Sequence, residues 1–219
     1  MNKEQFLHPH QVNFIRKQLK ILIGAFYFAG DSRVLEASRA SVVENIRSQF
    51  HELTPEQRAL LDEAGAVRDK DEMNRYMHKL SSCVIPFPTI TAAEIRKLFP
   101  KVKKLVLPDL DKIEYDKLTY LGWRDIATQS LYMVHRVNGK WKGVECRYVL
   151  GQKGRAYQCM WCNQMFPGDS VTLVTTEIKT KDIVGGYKTK GNHLCLNSTI
   201  CNSQLTSTAE IDTFLATLK

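Results

Sequence analysis

Apolar residues recur at three- and four-residue spacing through roughly the first 80 positions and then lose that period. Between residues 8 and 31, Val12, Ile15, Leu19, Leu22 and Phe26 fall on one face of a helix. Gly30 and Asp31 are placed to end that helix and cap the next. The second helix carries Leu35, Val42, Ile46 and Phe50 inward. A third opens at "LTPEQRALL", where Thr54 is a good N-cap, Pro55 suits the first turn and Gln57 completes a capping box. Met73, Tyr76, Met77 and Leu80 line a fourth. Four short-linked amphipathic helices predict a small antiparallel bundle.

The period breaks at "IPFPTIT". Pro86 and Pro88 cannot continue a helix and bias their neighbours toward extended backbone. The boundary is therefore expected here, with an all-α bundle over 1–85 and a second domain over 86–219. A short helix follows, with Thr91 and Glu94 as its capping box. After Pro100 the segments "KKLVLP", "SLYMVHRVNGKWKGVECRYVL" and "DSVTLVTTEIKT" favour strands, and Asn138-Gly139 is a strong hairpin turn between two of them. The second domain reads as α+β.

Charge adds a hint about partners. The net charge of the 219-residue chain is +8, and residues 101–219 hold 17 Lys+Arg against 11 Asp+Glu. A basic half suits an acidic partner, either nucleic acid or an acidic protein face; the plainer reading is a solvated lysine-rich surface. No apolar run approaches the roughly 20 residues of a membrane-spanning helix. The polar start "MNKEQFLHPHQ" lacks the apolar stretch of a signal peptide. A cytoplasmic protein is expected, and there paired cysteines bind metal or do redox work more often than they form disulfides.

Six cysteines carry the chemistry. Cys159 and Cys162 form a C-x2-C, and Cys195 and Cys201 a C-x5-C. Tetrahedral zinc needs four such ligands, two of which a C-x2-C knuckle supplies from one tight turn. The stretch between Cys162 and Cys195 leaves room for a β-hairpin, with a turn expected at Gly185-Gly186. The second pair then leads into a final helix, "TSTAEIDTFLATLK". Knuckle, hairpin, helix is the order of a treble-clef zinc finger over about 155–219. A redox C-x-x-C would open a helix after a strand, whereas here a turn-like "NQMFPGDS" follows. Unrelated free thiols are the other alternative, and His193 could replace one cysteine as ligand. Cys83 and Cys146 read as core thiols. A closed four-sulfur site has no open coordination position, and no catalytic motif appears, so no enzyme activity is expected.

The chain resembles the elongation factor G-binding proteins, the FusB/FusC family of fusidic acid resistance proteins. The likeness lies in "HPHQVNFIRKQL", in "VIPFPTITAAEIRKLFPKVKKLVLP", in "YLGWRDIATQSLYMV", and in "CMWC" with "LCLNSTICNSQL" and the C-terminal helix. It implies a helical bundle followed by an α+β domain with a treble-clef finger holding one structural zinc. It further implies a non-enzymatic, monomeric, cytoplasmic protein that binds elongation factor G at its C-terminal domains and promotes its release from the ribosome. The alternative is a basic zinc module that binds ribosomal RNA. Adhesion is a third reading, because some relatives carry a fibronectin-binding label, but no secretion or anchoring signal is seen.

A sealed metal leaves the surface to bind the partner. Tyr187 beside Lys188 and Lys190 is an aromatic flanked by positive charge, suited to a hot spot with an acidic partner. In the last helix Ile211, Leu215 and Leu218 share a core face, and Phe214 lies on its border, core or contact. The resemblance implies a tyrosine near the hairpin and a phenylalanine five residues from the C-terminus as contacts, which here are Tyr187 and Phe214. The family's loop lysine falls where this chain has Val184, and Lys188 is the substitute.

Overall fold

The computed structural model describes residues 4–28, 30–152, 154–179 and 187–217. The chain divides into two compact units, Met1–Ile85 and Pro86–Lys219. Among the described residues no helix is long and apolar enough to cross a membrane.

The first unit is all helical: α1 (Pro9–Phe28), α2 (Ser32–Arg47), α3 (Pro55–Asp62) with a 3-10 turn at Glu63–Ala66, and α4 (Lys70–Ser81). The caps follow from local chemistry. Asp31 accepts the Arg33 N–H, Thr54 and Gln57 close a reciprocal capping box, and Asp69 accepts the Glu72 N–H. Ile15, Leu19, Leu22, Val42, Ile46, Leu61 and Leu80 are buried in its core. Arg47 donates two hydrogen bonds to Asp62, at 2.7 and 2.5 Å, tying α2 to the end of α3. The chain on either side of the helices meets in a parallel bridge, Leu7 with Val84, fastened by the Ile85 N–H to the Leu7 carbonyl at 2.8 Å.

The second unit is built on a five-stranded antiparallel sheet. Its strands, in chain order, are β1 (Leu121–Asp125), β2 (Ser130–Val137), β3 (Lys140–Tyr148), β6 (Val171–Lys179) and β7 (Tyr187–Cys195), and their spatial order is the same. The short β4 (Ala156–Gln158) and β5 (Met165–Pro167) pair separately. Asn138 and Gly139, at φ 49° and 75°, make the left-handed turn between β2 and β3. The turn expected at Gly185-Gly186 lies outside the described residues.

Strand β2 is buried on both faces. Leu131 and Met133 look into one core, with the cysteines and the C-terminal helices. Tyr132 and Val134 look into the other, with Phe87, Ile95, Phe99 and Trp123. The second core is roofed by α5 (Ala92–Leu98), which opens at the Thr91/Glu94 capping box. The strand expected at "KKLVLP" is absent. Residues 99–118 instead form an irregular strap whose Val102, Leu105, Leu107, Leu110 and Ile113 pack on the sheet. The Val106 carbonyl accepts the Trp123 indole N–H at 2.8 Å, so a side chain occupies the acceptor that a neighbouring strand would have used.

Gly143 in β3 lets α5 approach. A Cβ there would stand 2.8 Å from the Leu98 Cβ and 2.9 Å from the Phe99 Cζ. Gly143→Ala is expected to destabilise the second unit by about 1–3 kcal/mol through overpacking. Thermal unfolding followed in the near-ultraviolet, where the Phe99, Trp123 and Tyr132 ring contacts absorb, checks this; an unchanged midpoint would disprove it.

Candidate metal centre and partner surface

The cysteine pairs arrive on separate elements, and local hydrogen bonds set each. The knuckle is the tight connection between β4 and β5. The Cys159 N–H bonds to the Gln164 carbonyl and the Asn163 N–H to the Cys159 carbonyl, both at 2.9 Å, with Asn163 left-handed at φ 57°. The Cys162 N–H also donates to the Cys159 sulfur. The Met160 N–H bonds to the His193 carbonyl at 2.9 Å, which pins the knuckle to β7. Cys195 ends β7. Two residues on, Asn197 caps a short helix, α6 (Ser198–Gln204), by accepting the Thr199 and Ile200 N–H groups. Cys201 sits in that helix. The final helix expected after the cysteines is α7 (Ala209–Ala216), and α6, which carries Cys201, is a further helix that the spacing did not show.

All four sulfurs lie within 4.8 Å of one another. Cys159 and Cys201 are 3.9 Å apart and Cys162 and Cys195 3.7 Å. A tetrahedron of zinc–sulfur bonds of about 2.3 Å has edges of about 3.8 Å. The cysteines are 0–4% exposed. The three neighbouring sulfurs hold the Cys159 thiol far below its usual range, and they push Cys201 far above its own, with burial adding to the rise. Cys162 is lowered as well and Cys195 raised, so two sulfurs of the set favour the thiolate and two the thiol until a divalent cation compensates the charge. Geometry, donor type and burial fit one tetrahedral zinc ion, and the cluster holds it as a structural site. His193 is not among the ligands; its ring stacks on Tyr157 with centroids 4.9 Å apart.

Around the sulfurs lies a shell that spacing did not reveal. The buried Tyr120 hydroxyl is raised well above its usual pKa, by burial first and then by the Cys201 sulfur, and it stays a donor to that sulfur. Asn202, 2% exposed, accepts the N–H groups of Thr119 and Tyr120 at 2.7 and 3.1 Å and donates to the carbonyls of Tyr120 and Ser198 at 3.0 and 2.9 Å. One amide thus ties the ligand helix to the chain entering β1. Its only sequence signal was a polar residue beside a ligand cysteine.

A family model described as FBP C-terminal treble-clef zinc-finger matches residues 96–213, more than half of the chain, and one described as elongation factor G-binding protein, N-terminal, matches residues 6–88. The chain belongs to the elongation factor G-binding protein family. The solved structure of the fusidic acid resistance protein FusC resembles this member of the family with a TM-score of 0.79 and 21% identity, over 100% of this chain and 98% of that one. No curated protein matches it in sequence.

The residues expected to contact a partner divide. Lys188 is exposed in β7. Tyr187 opens that strand opposite Lys179, but its side chain lies outside the described residues, as do Val184 and Leu218. Phe214 is 1% exposed and belongs to the core, not the surface. The knuckle decides this, because Trp161 packs edge-on against the Phe214 ring at 5.9 Å and against Tyr120 at 4.9 Å. Lys190 lies 5.0 Å from the Phe214 ring centre and donates to Thr217 at 2.9 Å, closing the remaining side.

Removing one ligand leaves three buried sulfurs without a complete cage. Cys162→Ser is expected to lose the zinc and unfold the second unit while the helices of the first persist. Elemental analysis with circular dichroism checks this, and a fully loaded, folded variant would contradict it. Asn202→Leu is expected to destabilise the same unit by about 3 kcal/mol or more, because three buried backbone groups and a partly buried one lose a partner. Chemical denaturation measures that loss.

Proposed function

We propose that this chain binds translation elongation factor G through its C-terminal unit and promotes the factor's release from the ribosome. The observation that carries this reading is the pair of family matches, which together span residues 6–88 and 96–213. The sealed site supports a binding role: a zinc ion held by four sulfurs offers no position to substrate or water. The work falls to the surface that the metal holds in place.

That surface carries exposed apolar side chains next to the knuckle. Met160 is 43% exposed, Met165 59% and Leu173 46%. Leu173 faces His193 across β6 and β7, and the His193 carbonyl holds the Met160 N–H, so these groups share one region. Methionine adapts its shape to a partner, and clustered exposed apolar groups mark interaction sites. Tyr187 and Lys188 extend the region along β7. Phe214 acts by holding α7 in place rather than by touching the partner.

Release follows from differential binding. A partner that prefers the conformation of elongation factor G with low ribosome affinity shifts its population off the ribosome without touching a bound drug. The same coupling would confer fusidic acid resistance where the drug traps the factor. The protein acts as a monomer in the cytoplasm under this reading.

Titration calorimetry against purified elongation factor G tests the proposal. Met160→Glu with Met165→Glu is expected to weaken binding at least tenfold with zinc retained, and Tyr187→Ala by about 1–3 kcal/mol, the range of interface hot spots. Phe214→Ala is expected to act first on folding, losing about 3–5 kcal/mol of stability. Full affinity in the folded Met160/Met165 variant and in Tyr187→Ala would place the contact elsewhere.

A further inference from the structure

We propose that a basic ridge on the opposite face of the sheet from the zinc centre binds the phosphate backbone of RNA. The ridge is the end of α5 and the turn after it: Arg96, Lys97, Lys101, Lys103 and Lys104. These nine residues, 96–104, hold five cations and no carboxylate. All five cations are exposed.

The ridge is built rather than incidental. Its alternate residues point the other way and anchor it. Ile95 is fully buried and Phe99 nearly so, with Leu98 and Val102 packed beside them. Phe99 meets Trp123 and Tyr132 edge-on at 5.9 and 5.3 Å, and Gly143 of β3 admits Leu98 and Phe99 at close range. The cations therefore project from backbone held to the sheet, so less ordering is left for binding to impose.

The charge is also available. None of the five forms an ion pair among the described residues. The carboxylate nearest in sequence, Glu94, feels the charge of Lys97, but its oxygen already accepts the Thr91 N–H and hydroxyl at 2.8 and 2.7 Å. Further along, Asp109 pairs with Lys112 and Glu114 with Lys117.

RNA fits this surface better than an acidic protein does. Protein interfaces are built around aromatic and apolar anchors and are depleted in lysine. The ridge shows only one large exposed apolar neighbour in its strap, Val106, and four of its five cations are lysines. Phosphate-backbone binding needs the reverse: several free cations, no apolar anchor and no base readout. The apolar anchors of this unit lie by the knuckle, on the other core's side of β2. The two faces thus suit two different partners at once, and a protein that engages a ribosome-bound factor with one face can contact RNA with the other.

Fluorescence anisotropy of a labelled 12-nucleotide oligouridylate, titrated with the full-length, zinc-loaded chain at several salt concentrations, tests the proposal. The logarithm of affinity is expected to fall with the logarithm of salt at a slope of about −3.5 if all five cations neutralise phosphates of a single strand. Lys101→Glu, Lys103→Glu and Lys104→Glu together are expected to weaken binding at least tenfold at 100 mM salt and bring the slope to about −1.4. Reversal of Lys17 and Lys20, exposed on α1 of the other unit, is expected to change neither. Binding that is absent from the unaltered chain, or equal in the triple variant, overturns the proposal. So does a triple variant that loses elongation factor G in calorimetry while keeping RNA, since the ridge would then be a protein contact. RNA binding that depends on the ridge supports the proposal whichever way the elongation factor titration comes out.

Discussion

Four sulfurs cannot be packed together in an apolar interior as four thiolates without a cation among them. Much of the C-terminal unit depends on that constraint. The knuckle supplies two sulfurs, the end of β7 a third and α6 the fourth, so the metal joins elements 42 residues apart in sequence. It substitutes for apolar burial that the short β4, β5 and α6 could not provide alone. Trp161, carried between the knuckle cysteines, then becomes the wall against which Tyr120 and Phe214 pack.

Asn202 passes this order on to the sheet. Its amide bonds with the backbone of Thr119, Tyr120 and Ser198, and the Ser198 hydroxyl donates to the Gly122 carbonyl at 2.5 Å. Gly122 makes that approach possible, since a Cβ there would stand 2.9 Å from the Ser198 Cβ. At α7, Asp212 lies 3.3 Å from the buried His135 ring of β2, whose other nitrogen meets the Thr119 carbonyl at 2.9 Å. Metal, ligand helix and last helix are thus fixed to one end of the sheet, and the exposed methionines are displayed on a fixed frame.

Because β2 is buried on both sides, the sheet separates two cores with different surfaces. One side displays apolar groups beside the metal. The other is roofed by α5 and a strap that turns lysines outward. Net charge placed the positive excess in this half of the chain; only the packing of Ile95, Phe99 and Val102 shows how part of it becomes a ridge.

Features that depend on a few adjacent residues were legible in the sequence. The Thr54 and Thr91 capping boxes, the Asn138-Gly139 turn, the helical faces of the first unit and the order knuckle, hairpin, helix each rest on local hydrogen bonds, steric limits or ligand spacing. Whether an apolar segment becomes a strand is not local. Residues 103–108 have a strand-like composition, but a distant indole claims the Val106 carbonyl and the segment runs as a strap. The side to which Phe214 turns is not local either, because helical spacing put it on a border and Trp161, 53 positions earlier, drew it inward. Asn202 looked like any polar residue on a short helix until the chain entering β1 came to lie beside it. The sequence by itself determined the helices of the first unit, the capping boxes, the hairpin turn and the metal-ligand set, because short-range geometry and thiol chemistry act wherever the chain goes. The tertiary structure alone decided which side chains complete the site and which stay exposed, because burial is settled by residues far away along the chain.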